Sequence, residues 1–189
     1  MDWLADLHET GALLEGHFEL TSGRHSDRFL LLSRLVAHPE RLRPWLAPLA
    51  EFARGVRPTV VVGPAMGGVI LAWVLAEVLG EPVWAAFAEK AVGGEIVIRR
   101  GFQLTGEDRA VIIEDALTTG GSVLRTRDAV ERSGAEVAAA VTLVDRRPPD
   151  VEFPLPLRST LRWEAPAYEP AACPLCERGA APAQRPKLS

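Results

Sequence analysis

The sequence predicts an α/β protein built on a doubly wound, mainly parallel five-stranded sheet. Three observations carry that expectation. Short apolar runs at 59–62, 82–87, 110–113 and 137–144 read as buried strands, and stretches with helical spacing separate them. Two of these runs end in turns of small residues from which helices start, Gly63 to Gly68 and Thr118 to Ser122. An N-terminal hairpin signal and a Gly93-Gly94 turn add antiparallel excursions beside the sheet.

In chain order, Trp3, Leu4, Leu7 and Leu14 fall near helical spacing and predict an amphipathic helix over 2–14. The run 15–32 reads as strand, Ser-Gly turn, strand, the second strand being 28–32. Helical spacing returns over 39–52. The strand at 59–62 leads into a helix over 69–79, and 82–87 is the next strand. After the strand at 110–113 comes a helix over 123–133, and 137–144 is the last predicted strand. From Arg147 prolines become frequent, so the chain divides into a domain over 1–165 and a Pro-rich tail, 166–189, that reads as loop or partly disordered.

Composition excludes several classes. At 48% hydrophobic and 24% charged residues the chain can bury a core. A net charge of −4 gives no electrostatic footprint for nucleic acid. No apolar run reaches the roughly 18 residues of a membrane span. The start, Met1-Asp2-Trp3-Leu4-Ala5-Asp6, lacks the basic region of a signal peptide, so the expected location is cytoplasmic. Only Lys90 and Lys187 are lysines among 21 basic residues, and asparagine is absent. A hot-living source predicts the amide depletion, and a high-GC genome predicts the same arginine bias.

The chemistry concentrates at 110–123, Ala-Val-Ile-Ile-Glu-Asp-Ala-Leu-Thr-Thr-Gly-Gly-Ser-Val. A strand, a turn of hydroxyls and glycines, and a helix N-terminus form a phosphate cradle: glycines let backbone approach, N–H groups donate, and the dipole favours an anion. The paired acids Glu114 and Asp115 would repel that phosphate but accept from neutral hydroxyls. A ribose 5-phosphate satisfies both halves. Two acids at a purely structural helix start are the competing reading.

Other stretches gather at strand ends, where ligands of such sheets bind. Gly63 to Gly68 lacks the pattern of a dinucleotide or Walker loop, but its glycines still permit close approach. Glu89 to Gly101 forms a Gly-tipped arm with Lys90, Arg99 and Arg100, suited to a lid over an anion; an ordinary solvated hairpin is the alternative. Arg146 offers a fork for a carboxylate. Ser22, Arg24, His25 and Arg28 could hood an acceptor, whereas His8, His17 and His38 carry no signal of their own.

The run 110–123 resembles the phosphoribosyl pyrophosphate motif of type I phosphoribosyltransferases. That resemblance implies their fold, the doubly wound sheet carrying an N-terminal hood (about 1–35 plus the segment after 147) and a mobile β-hairpin loop. It implies that Glu114 and Asp115 hold the ribose hydroxyls. Thr118, Thr119, Gly120, Gly121 and Ser122 would hold the 5-phosphate, Ala116 and Leu117 would also bind phosphoribosyl pyrophosphate, and Ala65, Met66 and Gly67 would hold the pyrophosphate. The run Gly16 to Phe29, with Ser22-Gly23-Arg24 and His25-Ser26-Asp27, narrows the likeness to the orotate phosphoribosyltransferase family, as do Arg99 to Phe102, Val144 to Arg146 and the Cys-Pro-Leu-Cys tail of one bacterial branch. The family would place orotate on Thr118, Arg146, Ser22, Arg24 and Phe29. Lys90 and Asp115 would be catalytic, Mg²⁺ would travel on the substrate pyrophosphate, and a homodimer would let the loop reach the neighbouring site. The chain departs from the family pattern at Thr21 and Gly67, where many members carry lysine; Arg24, Arg99, Arg100 and Mg²⁺ are the candidate replacements. Rival readings are a purine-type phosphoribosyltransferase and a non-catalytic regulator that binds phosphoribosyl pyrophosphate.

Cys173-Pro174-Leu175-Cys176 is a single C-x-x-C knuckle. A structural zinc site needs four ligands, and the chain has no second cysteine pair; reduced thiols, a local redox pair or a metal shared across a dimer are the options, and the favoured expectation is no protein-held metal.

Overall fold

The computed structural model describes residues 2–148 and 150–185, and these divide into two compact units. One comprises the chain up to Ala37 together with the segment from Glu164 onward; the other runs from His38 to Trp163. The last four positions of the expected tail, Lys187 among them, lie outside the described residues.

The first unit opens with α1, Trp3–Glu9, shorter than the helix expected over 2–14. Asp2 caps it, its carboxylate accepting from the amides of Leu4 and Ala5 at 3.1 Å each. Gly11 takes a positive φ of 67° just past the helix, and Leu13 and Leu14 then belong to a strand. Their apolar character serves a strand face, which spacing alone does not separate from a helix stripe. Strands β1, Leu13–Glu19, and β2, His25–Leu30, pair antiparallel as a separate two-stranded sheet. A short helix α2, Ser33–Val36, follows.

The second unit begins with α3, Pro39–Gly55, whose Leu42, Trp45, Leu46 and Leu49 are fully buried. Next come β3, Val60–Pro64; α4, Gly67–Leu79; β4, Trp84–Lys90; β5, Ile96–Ile98; β6, Arg109–Leu117; α5, Gly121–Arg132; β7, Glu136–Asp145; and β8, Leu157–Arg162. The sheet order is β5-β4-β3-β6-β7-β8. Five strands are parallel and β5 alone is antiparallel, pairing Lys90 with Ile96 in the arm anticipated around Gly93-Gly94. The fifth parallel strand is β8, in the segment after 147 that the resemblance places with the hood and for which the sequence predicts no strand. It alternates Leu-Arg-Ser-Thr-Leu-Arg at a sheet edge, so it lacks the continuous apolar run of a central strand.

Every residue of β3 is buried, as a strand covered on both faces requires. Val60 and Val62 join Ala110 and Val130 of α5 in one cluster, so Val61 faces the opposite layer. Helices α3 and α4 pack together, and α4 lies on β3, β4 and β6; α5 packs on β5, β6 and β7. From β3 the chain moves to β4 on one side, then crosses to β6 on the other. The strand order therefore reverses between β3 and β6, and a crevice opens at their carboxyl ends.

The segment after 163 returns to the first unit. Tyr168 and His25 exchange backbone hydrogen bonds at 2.8 Å, and the Gln184 amide donates to the His17 carbonyl at 2.8 Å. Between them a short helix α6, Pro174–Glu177, carries the C-x-x-C knuckle. The described part of the tail is thus bonded to the hairpin.

Candidate active site

Two turns meet at the switch point. The first leaves β3 through Gly63 and enters α4. A Cβ on Gly63 would lie 1.9 Å from the Gly68 carbonyl oxygen, and one on Gly68 would lie 2.7 Å from Pro64 Cδ. The chain folds back so closely that only glycine fits either position. Ala65, Met66 and Gly67 are exposed on the outside of this turn, and the Ala65–Met66 peptide is cis. The turn is tied to the neighbouring strand by the Ala65 amide, which donates to the Ala88 carbonyl at 2.7 Å.

The second turn leaves β6. Glu114 is buried at 8% exposure near the end of the strand. Its Oε2 accepts from Ser122 Oγ at 2.6 Å, and its Oε1 from the Asp115 amide at 3.2 Å. Burial is the main force on its carboxyl group and, reinforced by the neighbouring Asp115 charge, pushes its pKa up to about 7 against the opposing Ser122 bond. Burial also raises the pKa of Asp115, whose Oδ1 accepts from the Ala116 amide at 2.6 Å. Asp115 Oδ2 points at the first turn: a Cβ on Gly67 would sit 3.4 Å from it. The acid pair therefore lies beside both turns.

Gly120 is the N-cap of α5 with φ 75°, a left-handed conformation that glycine adopts at no cost. No side chain caps α5, and none caps α4 at Met66. The first-turn amides of both helices therefore lack a side-chain acceptor at the same crevice, as anion sites require. Thr118 and Thr119 are exposed beside Gly120, while Leu117 is 1% exposed, and its side chain packs with Ile112 and Val123. Leu117 can face a ligand only through its backbone, and its carbonyl already accepts from the Arg146 amide at 2.8 Å.

That bond sets Thr118 next to Arg146 across the ends of β6 and β7. The adjacent arginines then divide their roles. Arg147 binds Asp145 through Nε at 3.1 Å and Nη2 at 2.9 Å, and its guanidinium lies 5.4 Å from the Phe153 ring centre. Arg146 is half-buried with a buried Nε that has no partner among the described residues, and burial lowers its pKa. A donor in that state awaits an acceptor.

The cations expected over the pyrophosphate are distributed unevenly. Lys90 ends β4, exposed and without an ion-pair partner among the described residues. Arg100 and Arg99 both bind the Glu89 carboxylate, and those hydrogen bonds lower its pKa. Arg24, in the first unit, is held by the Ala167 carbonyl and by Glu169 at 3.1 Å. These three arginines are engaged rather than free. Sequence reading missed Arg125: its Nη1 lies 3.1 Å from where a Gly121 Cβ would be, and it is exposed just past the first turn of α5. The signal was a cation four residues after the Gly-Gly step, the spacing that turns back over a helix start.

Of the remaining expected contacts, Ser22 Oγ accepts from the Arg24 amide at 3.4 Å, and Phe29 packs on Phe18 with ring centres 5.7 Å apart. Both belong to the first unit. The turn residues 65–67, Lys90, the run 114–122 and Arg146 all lie at carboxyl ends of strands in the second.

Residues 49–152 match the phosphoribosyl transferase domain. The chain is 41% identical over 180 residues to orotate phosphoribosyltransferase of Thermotoga petrophila, covering 95% of this chain and 94% of that one. It superposes on the crystal structure of orotate phosphoribosyltransferase from Aeropyrum pernix with TM-score 0.68 at 27% identity, covering 82% of this chain and 90% of that chain. The Mycobacterium tuberculosis orotate phosphoribosyltransferase in complex with 5-phospho-α-D-ribosyl 1-diphosphate is similar at TM-score 0.61 and 28% identity, covering 70% and 80%.

Proposed function

The chain belongs to the phosphoribosyl transferase family, in its orotate phosphoribosyltransferase branch, and from that premise we propose how its residues divide the reaction. The enzyme transfers the 5-phosphoribosyl group from phosphoribosyl pyrophosphate to orotate, giving orotidine 5′-phosphate and pyrophosphate, a step of pyrimidine biosynthesis. One observation carries the residue assignments: two uncapped helix starts meet the buried Glu114 and half-buried Asp115 at the switch point of the sheet.

The amides of Gly121 and Ser122 and the hydroxyls of Thr118 and Thr119 hold the 5-phosphate, with Arg125 above them. Glu114 and Asp115 accept from the ribose hydroxyls, which fixes the sugar for displacement. As the bond from C1 to the pyrophosphate oxygen breaks and the bond from C1 to the orotate ring nitrogen forms, positive charge builds on the ribose, and the acid pair faces it. The electron pair of the broken bond leaves with pyrophosphate, and the ring N–H proton passes to water. Orotate is itself an anion, so no dedicated base is assigned. Ala65, Met66 and Gly67 seat the leaving group, and Lys90 on the hairpin arm covers it and excludes water. Arg146 and Thr118 bind the acceptor; Ser22, Arg24 and Phe29 join them on the likeness of the 16–29 run alone.

Mg²⁺ is proposed as a passenger of the substrate pyrophosphate, supplying charge neutralisation to the leaving group. The donor set fits: Asp115 Oδ2 faces the pyrophosphate turn, a hard oxygen of the kind this ion takes.

A homodimer is supported by an apolar stripe on one face of α4. Met66, Ile70 and Trp73 stand 84%, 54% and 64% exposed, at helical spacing. A second copy would cover it and bring its arm to the neighbouring site. No described helix is long and apolar enough to cross a membrane, and we assign the enzyme to the cytoplasm.

Among the described residues Arg146 Nε has no acceptor, which favours an anionic acceptor over a purine, and Lys90 has no ion-pair partner, which favours turnover over a binding-only regulator. Asp115→Asn and Lys90→Ala test the assignments by steady-state kinetics. Each is expected to lower kcat at least about 100-fold with the fold intact. Wild-type turnover in Asp115→Asn would remove the acid pair from the mechanism.

A further inference from the structure

The first unit holds a constellation that the transfer reaction does not use. His17 of β1, His25 of β2, and Cys173 and Cys176 of the knuckle bring one donor atom each to a single point, all within 4.8 Å of one another. His17 Nε2 stands 3.0 Å from His25 Nδ1, 3.6 Å from Cys173 Sγ and 3.7 Å from Cys176 Sγ; Cys176 Sγ lies 3.4 Å from His25 Nδ1. We propose that His17, His25, Cys173 and Cys176 form a closed tetrahedral zinc site that staples the N-terminal hairpin to the C-terminal segment.

The spacing has the right size. Zinc takes nitrogen at roughly 2.0–2.1 Å and sulfur at roughly 2.3 Å, so tetrahedral N–N and N–S edges are about 3.3–3.6 Å. The four measured separations scatter around those edges. Hydrogen bonding alone does not account for the cluster. The Nδ1 of His17 lies 2.8 Å from the Ala181 carbonyl, which can only accept, so Nδ1 carries the proton and Nε2 presents a bare lone pair. One lone pair cannot serve a ring nitrogen and two thiols together; a cation at the centroid satisfies all four donors. The same Ala181 bond is the outer-shell contact that ligating histidines use to fix tautomer and ring orientation. Two imidazoles with two thiolates in a tetrahedral array select zinc among the common divalent ions.

The donors stand on a hydrogen-bonded frame. Tyr168 and His25 exchange backbone bonds, Gln184 bonds both His17 and Glu19, and Arg185 pairs with Glu19. Cys173 is completely buried at the start of α6, where the Glu177 amide binds its carbonyl at 3.1 Å. A knuckle with no second cysteine pair is therefore completed by two histidines that flank the turn 20–24. A small unit with a thin core gains most from such a staple. All four positions are filled by protein, so the role is structural, and it stands whether or not the orotate assignments do.

The test uses full-length protein purified under reducing conditions without added metal. Elemental analysis is expected to find about one zinc per chain, and cobalt exchange to give thiolate charge-transfer and intense tetrahedral ligand-field bands. Cys176→Ser, at an exposed position that spares the core, is expected to weaken zinc retention at least about 100-fold with unchanged far-UV circular dichroism. His25→Ala is expected to abolish the cobalt bands. Three results would each overturn the proposal: metal-free protein that takes up no cobalt, a Cys173–Cys176 disulfide in the fresh reduced preparation, or full zinc content in Cys176→Ser.

Discussion

Ser122 Oγ donates to Glu114 Oε2 at 2.6 Å, binding the first turn of α5 to a carboxylate that burial has made a weak acid. Burial raises the carboxyl pKa from the ordinary 4.5 to about 7, so between those values the folded chain holds a proton that the unfolded chain has lost. Stability therefore falls as pH rises through that window and levels off above it. Glu114→Gln removes the titration. The expected result is a flatter urea-denaturation profile from about pH 5 to pH 8 and a ligand-free protein more stable by roughly 1–3 kcal/mol at the upper end. An unchanged slope would place the titrating group elsewhere.

Arg146 differs from Arg147 in having no acceptor for its buried Nε among the described residues, while Arg147 is held by Asp145. Arg146→Ala is expected to raise KM for orotate by roughly 10- to 100-fold, the equivalent of one lost charge-assisted contact pair. Arg146→Lys should fail to restore it, because an ammonium does not reproduce the planar fork. Full rescue by lysine would show that only the charge matters.

Arg125 and Arg127 stand two residues apart on α5, and among the described residues only the second has an ion-pair partner, Asp128 at 2.8 Å and Glu131 at 3.8 Å. Arg125→Ala is expected to raise KM for phosphoribosyl pyrophosphate roughly 10-fold, and Arg127→Ala to leave it within about twofold. Equal effects would mean that Arg125 acts only through bulk charge.

Gly63 admits no side chain, since a Cβ would lie 1.9 Å from backbone rather than from a flexible side chain. Gly63→Ala should cost more than about 3 kcal/mol in denaturant titration or rebuild the turn. Gly67→Ala meets only an ordinary 3.4 Å contact with Asp115 and should be tolerated in stability.

The catalytic half of the molecule was legible because its chemistry is local. Glu114 to Ser122 supplies two acids, three hydroxyls, two glycines and a helix start within nine consecutive residues, and the apolar runs around it needed no partner to be read as strands. What failed was non-local. The strand β8 alternates charged and apolar residues and is recognisable only beside β7, where Thr142 pairs with Ser159. Leu13 and Leu14 satisfied a helical stripe until Gly11 ended the helix. His17 carried no signal because its sulfur neighbours are more than 150 positions away. Arg99 and Arg100 looked available until the fold returned Glu89 to them.

The central claim is that this crevice joins phosphoribosyl pyrophosphate to orotate. Its most direct test is turnover of phosphoribosyl pyrophosphate with Mg²⁺ against orotate, adenine and xanthine, each followed by absorbance. The account predicts orotate consumption with stoichiometric pyrophosphate release, no purine turnover, and an orotate reaction in Arg146→Ala that needs roughly 10- to 100-fold more orotate. Consumption of a purine in place of orotate, or no turnover of any base, would contradict it.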